Sequence, residues 1–181
     1  MTASALRNGP QGYGLVTKTL HWLVAIAIAA QFTVGYLLDV DGGRGRGRGR
    51  GGESGRGRGR GGDLDPFGDD TLLTVHVVLG VTILVLASIR LLWRVTTPLP
   101  PWSESLSSRE RRFVHWIERV LYALMFAIPA SGLALVLSDD DDLLGFHIAT
   151  HLAFFVAIAL HVGFVLEHQL VDRDGYLRRM T

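Results

Sequence analysis

Four apolar runs, at residues 20–38, 72–93, 114–137 and 143–166, constrain this chain more than any other feature. Each is close to the roughly 20 residues that a helix rising about 1.5 Å per residue needs to cross a ~30 Å hydrocarbon core. In lipid every backbone amide must find its partner within the protein, so runs of this length fold as helices. The expected fold class is therefore all-α: an integral membrane four-helix bundle with transmembrane helices at about 19–38, 72–94, 114–137 and 143–168. Residues 1–181 are read as one membrane domain, with no separate soluble domain.

The first run has some marks of a secretory signal, with Arg7 and Lys18 before it and a small-residue "AIA" at 27–29. It continues through "AQFTVGYLL", too long for a signal core, and is expected to be retained. The chain has no cysteine, which excludes thiol redox chemistry, disulfides and cysteine-held zinc or iron–sulfur centres.

Lysine and arginine set the orientation. With both termini cytoplasmic, eleven cations lie inside: Arg7, Lys18, Arg90, Arg94, Arg109, Arg111, Arg112, Arg119, Arg173, Arg178 and Arg179. Seven lie outside, all in the first loop, "GGRGRGRGRGGESGRGRGRGG". The expectation is a multi-pass protein of the cell membrane with cytoplasmic termini. The Arg-Gly-rich stretch at 41–70 is expected to be disordered, since alternating glycine forfeits backbone order and nothing there is fit to be buried. It lacks interleaved aromatic residues to stack on bases, and seven acids flank or interrupt it, so a solvated spacer is favoured over nucleic-acid binding.

Histidine is the anomaly. Run four carries His147, His151, His161 and His168, and ionisable groups inside a bilayer argue for function. At about 100° per residue they share one stripe about 100° wide, opposite Leu152, Phe155, Val156 and Ala159. His147 and His161 are fourteen residues apart, about 21 Å along the axis. Helix one begins on the inner side with His21, and helix two on the outer side with His76. His76 should then meet His147 at the outer level, and His21 should meet His161 at the inner one. Two axial imidazoles fill both open positions of a haem iron and favour electron transfer over ligand chemistry. The expected cofactors are thus two haems, with metal ligands His21, His76, His147 and His161. Gly35, Gly80, Gly132 and Gly163 suit close approach of a macrocycle or a neighbouring backbone. His151 and His168 are open: each is either bonded to a local partner or a replacement for one of the four. His115, at the start of helix three, is open between the inner haem edge, a quinone headgroup, a plain interfacial position and a replacement ligand.

The matching segments are "LHWLV" in helix one, "VHVVLGVTILVLASIRLLWR" in helix two, "VLYALMFAIPASGL" in helix three and the His147-to-His161 spacing followed by His168. Together they resemble the prokaryotic cytochrome b561 family, which shares its fold with the b-type cytochrome subunit of nickel–iron hydrogenases. The resemblance spans nearly the whole chain outside the Arg-Gly loop. It implies a four-helix dihaem b cytochrome, with ligands on the same four histidines. It also implies electron passage across the membrane between a quinone pool and a donor or acceptor, in some members with superoxide as the donor. The long first loop departs from the family pattern. So does Arg119, near where a second histidine is frequent in helix three.

Arg90 and Arg94 are candidate contacts for haem propionates, with Arg111 or Arg112 beside them; positive-inside topology explains the same residues without haem. The first-loop arginines offer electrostatic steering of a small anion such as superoxide. Expected partners are membrane lipid, a quinone and, if the chain anchors a hydrogenase or dehydrogenase, an oxidoreductase subunit; no nucleic acid is expected. Whether the chain is itself an oxidoreductase, superoxide:quinone or otherwise quinone-linked, stays open. A histidine-lined metal-ion transporter and a cofactor-free assembly subunit are the rival classes. The first is disfavoured because no carboxylate lies deep in an apolar run, Glu118 and Glu167 being expected at helix ends.

Overall fold

The computed structural model describes residues 6–10, 12–45, 71–103, 105–138 and 142–171. Most of the 41–70 stretch, and the tail arginines Arg173, Arg178 and Arg179, lie outside the described residues. Four helices follow in chain order: α1 (Leu15–Gly45), α2 (Thr71–Thr96), α3 (Ser108–Ser138) and α4 (Asp142–Leu170). Each is long and apolar enough to cross a membrane, and the chain is an all-α four-helix membrane bundle. The apolar part of α1 ends at Leu38, yet its backbone stays helical to Gly45, five residues into the stretch expected to be disordered.

α3 starts at Ser108, before its apolar run, and the cause is a reciprocal cap. The Glu110 backbone N–H donates to Ser107 Oγ at 3.3 Å, and the Ser107 N–H donates to Glu110 Oε2 at 2.6 Å. Two of the N–H groups that a first turn leaves open are thereby satisfied. Glu118, expected at a helix end, consequently sits well inside α3.

α2 packs between α1 and α3, and α3 between α2 and α4. α1 and α4 meet differently. Among the described residues their Cα atoms stay more than 8 Å apart, and long side chains bridge the gap. Phe32 of α1 approaches His151, Phe154 and Phe155 of α4, with ring centroids 5.3, 6.1 and 4.3 Å away. Backbones held apart in this way leave a seam into which histidine rings project.

One layer closes the middle of the bundle. Val24, Ala87, Met125 and Phe154, one from each helix, are buried together. Phe154 is seven residues from both His147 and His161, about 10 Å from each along α4. The outer surface is the reverse of a soluble protein's: Ile26, Leu92, Leu152, Phe155 and Val156 are all half or more exposed, as a lipid-facing surface requires. Three of these lie on the α4 face opposite the histidine stripe, a face suited to lipid or to helix packing.

The end of the bundle that holds the start of α1 is tied shut by polar contacts. Asn8 Oδ1 accepts from the Gly14 N–H at 3.0 Å and the Thr17 hydroxyl at 2.8 Å, while Asn8 Nδ2 donates to the Pro98 carbonyl at 3.0 Å. Trp93 Nε1 donates to Thr17 Oγ1 at 3.0 Å. The approach to α1 is thus fastened to the connection that follows α2.

Candidate functional site

The two histidine levels expected from the chain are separated in the structure by the buried layer, and they are built differently. At the His76 and His147 level, called outer (and the other inner) only after the topology expected above, a cavity of about 530 Å³ opens among all four helices, within the roughly 300–1,000 Å³ usual for small-ligand sites. His76, His147 and His151 line it, with Gln31, Phe32, Met125, Pro129 and Phe154 among the other walls. Glycine makes the fit close. A Cβ on Gly132 would stand 2.9 Å from His147 Cε1, and one on Gly35 would stand 3.2 Å from His76 Cε1. Each ring therefore lies in a notch that a larger residue would fill.

His147 is buried, as is its partner Ser131, at 9% and 7% exposure. Its Nδ1 lies 2.9 Å from Ser131 Oγ, and that hydroxyl donates to the Ile128 carbonyl at 2.9 Å. His76 Nε2 meets Gln31 Nε2 at 3.0 Å. Gln31 Oε1 and His76 Nδ1 are buried without a hydrogen-bond partner. Unpaired polar atoms inside an apolar cavity are costly; this half of the site is incomplete as the protein alone.

At the inner level His21 and His161 face each other across the α1–α4 seam, ring centroids 6.4 Å apart. Neither lines the outer cavity. Arg90 NH1 is 2.8 Å from His21 Nδ1, and the same guanidinium stands 5.8 Å from the centroid of the Tyr122 ring. Arginine only donates, so Nδ1 accepts and the single ring proton of His21 sits on Nε2.

The remaining sequence candidates divide. His151 joins the outer group, its ring 4.3 Å from that of His147. His168 is buried near the end of α4, its ring centroid 4.4 Å from that of Phe164 at a 54° tilt and its Nε2 3.8 Å from Glu110 Oε1. His115 lies against Trp102 at 5.0 Å, away from either pair. Arg94 is taken up by a two-pronged ion pair with Glu118, Nε to Oε1 at 2.7 Å and NH2 to Oε2 at 3.0 Å. Of the four glycines, Gly35 and Gly132 abut histidines, Gly80 abuts Gln31, and nothing lies within 4 Å of a Cβ on Gly163.

Sequence reasoning did not find Gln31, Ser131 or the Glu118 pairing. A weak signal existed: Gln31 and Ser131 are polar residues within apolar runs, where such groups need partners. Which partner each takes depends on how two helices are rotated against one another, and one helix's own pattern does not contain that.

Residues 12–181 match the family model described as prokaryotic cytochrome b561. The chain belongs to that family. A curated relative, cytochrome b561 homolog 2 of Escherichia coli (strain K12), is 25% identical over 195 aligned residues, covering 96% of this chain and 93% of the relative. Membership makes the protein a membrane b-type cytochrome and implies b-type haem and transmembrane electron transfer. The outer cavity of this cytochrome b561 fits such a group. It is mainly apolar, notched by glycine at two imidazoles, and carries two buried polar atoms with no partner of their own.

Proposed function

We propose that this cytochrome b561 holds two b haems in series, one in each leaflet. His76 and His147 would hold the haem at the outer level, and His21 and His161 the haem at the inner one. The observation that carries this reading is the division of the histidines into two groups, one on each side of the Val24, Ala87, Met125 and Phe154 layer. A bound b haem supplies reversible one-electron iron chemistry, and the protein supplies position, dryness and charge.

The chain's own residues have definable tasks in this scheme. Gln31 must turn from His76 Nε2, and Arg90 must turn from His21 Nδ1 so that the ring proton can move there and leave Nε2 bare. A guanidinium is suited to a bidentate grip on a carboxylate, which makes Arg90 the better candidate for a haem propionate. Arg94 is the second, its fork being matched to Glu118. The buried layer keeps water from passing between the two levels.

Both termini are proposed to be cytoplasmic, from the eleven-to-seven distribution of Lys and Arg. Electrons are proposed to pass between a membrane quinone and a donor or acceptor on the other side, with the whole chain, residues 1–181, acting as one domain. Superoxide steered by the arginines between 44 and 60 is one such donor, and an associated oxidoreductase subunit is the alternative.

The test is optical. A reduced-minus-oxidised difference spectrum of purified protein should show b-type bands, and chemical haem assay should give two haems per chain. A colourless protein, or one saturating at a single haem, overturns the two-level reading.

A further inference from the structure

The outer level contains a short hydrogen-bond chain whose direction is dictated by its chemistry. Ser131 has one hydroxyl proton and two neighbours at 2.9 Å, the Ile128 carbonyl oxygen and His147 Nδ1. The carbonyl is only an acceptor. If the hydroxyl gave its proton to Nδ1, Oγ would face that carbonyl oxygen at 2.9 Å with no hydrogen between them. The arrangement that satisfies all three groups runs from His147 Nδ1–H to Ser131 Oγ, and from the Ser131 hydroxyl to the Ile128 carbonyl. A neutral imidazole has one ring proton, so Nε2 is then bare.

The surroundings hold the ring to this state. His147 and Ser131 are both buried, where an unmade hydrogen bond costs the full desolvation of its group. The Gly132 notch limits how far the ring can swing. Thr150, also buried, donates to the His147 carbonyl at 2.7 Å and fixes the α4 turn that carries the ring. The Ile128 carbonyl is also a hydrogen-bond partner of the His147 ring; being only an acceptor, it too calls for a ring N–H.

We propose that Ser131 is a positioning residue that selects the ligating tautomer of His147, presenting a bare Nε2 to the outer cavity before any cofactor arrives. The inference rests on the proposed role of His147 as an axial ligand. Partners that orient a metal-bound imidazole are commonly worth about 10–100-fold in metal affinity when lost.

Three variants test it. Ser131→Ala removes the acceptor, Ser131→Thr restores a hydroxyl, and Ser138→Ala deletes a hydroxyl of the same helix whose bond goes to its own backbone. The readouts are haem titration of apoprotein in defined lipid, redox potentiometry of both haems, and the ring-nitrogen NMR shifts of His147 in apoprotein. Ser131→Ala should weaken the outer haem about 10–100-fold, shift its potential alone, and lose the pure Nδ1–H signature. Ser131→Thr should restore all three, and Ser138→Ala should change none. Unchanged outer affinity and tautomer in Ser131→Ala, or equal losses at both levels, would overturn the proposal. Because the tautomer is read without haem, failure of Ser131 is distinguishable from failure of the two-haem reading, which shows in the wild-type titration.

Discussion

Around His147 the polar chemistry is complete in the protein alone, whereas around His21 it is complete only by engaging the ring. Ser131 leaves Nε2 of its histidine bare; Arg90 leaves Nε2 of its histidine protonated. The second histidine of each level sharpens the contrast. His76 is held by a neutral amide with two buried atoms unpaired, a contact with little to lose on being exchanged. The cation on His21 also has the Tyr122 ring nearby. The difference teaches that residues of the same type at matched depths need not be equally prepared. An open cavity with a preset ligand should fill readily, and a closed pair under an arginine should fill only as that arginine finds another anion.

The largest effect should come from filling the notch at His147. Gly132→Leu drives a side chain into the imidazole and should abolish the outer haem while the inner one stays, read by haem stoichiometry and potentiometry. Gly163→Ala is its silent counterpart, because nothing lies within 4 Å of the new Cβ. Equal behaviour of the two variants would break the comparison.

Next comes Arg90→Gln, which frees His21 from a permanent cation while taking away the proposed propionate partner. Inner haem should load faster, yet bind about 10-fold or more weakly at equilibrium, a charge-assisted contact being worth about 1.5–3 kcal/mol. Stopped-flow haem uptake separates the two quantities, and an unaltered inner rate would remove the capping argument. Glu118→Gln should follow, at about 1.5–3 kcal/mol, since it leaves the part-buried Arg94 without its counter-ion. Thermal release of inner haem should come earlier than release of outer haem. The smallest effect is expected from Asn8→Ala, which removes the acceptor of the Gly14 N–H and the Thr17 hydroxyl and the tie to Pro98. About 0.5–1.5 kcal/mol of stability should go, seen as a lower melting temperature with both haem spectra unchanged.

Much of this architecture was legible because lipid leaves the backbone few choices: apolar runs of spanning length become helices, and alternating directions set histidine depths. The facing of α4 followed for the same reason, with Leu152, Phe155 and Val156 outward and His147 buried. Helix ends were less visible, since hydropathy marks where the membrane is rather than where hydrogen bonding stops. Ser107 and Glu110 carried the signal for an earlier α3 start, yet they stand outside the apolar run. Least visible were the partners of the histidines. Gln31 and Ser131 are ordinary polar residues until the rotation of α1 against α2, and of α3 against α4, brings each to a ring. The glycines show the same limit: Gly132 and Gly163 look alike in the chain, and only one touches a histidine.

The most direct test of two independent levels is haem content in His147→Ala and His161→Ala, assayed chemically and by redox titration in parallel. Each variant should keep a single b haem, and the two survivors should differ in midpoint potential, matching the two components of the parent protein. Two haems retained in both variants, or the same component lost from each, would contradict the account.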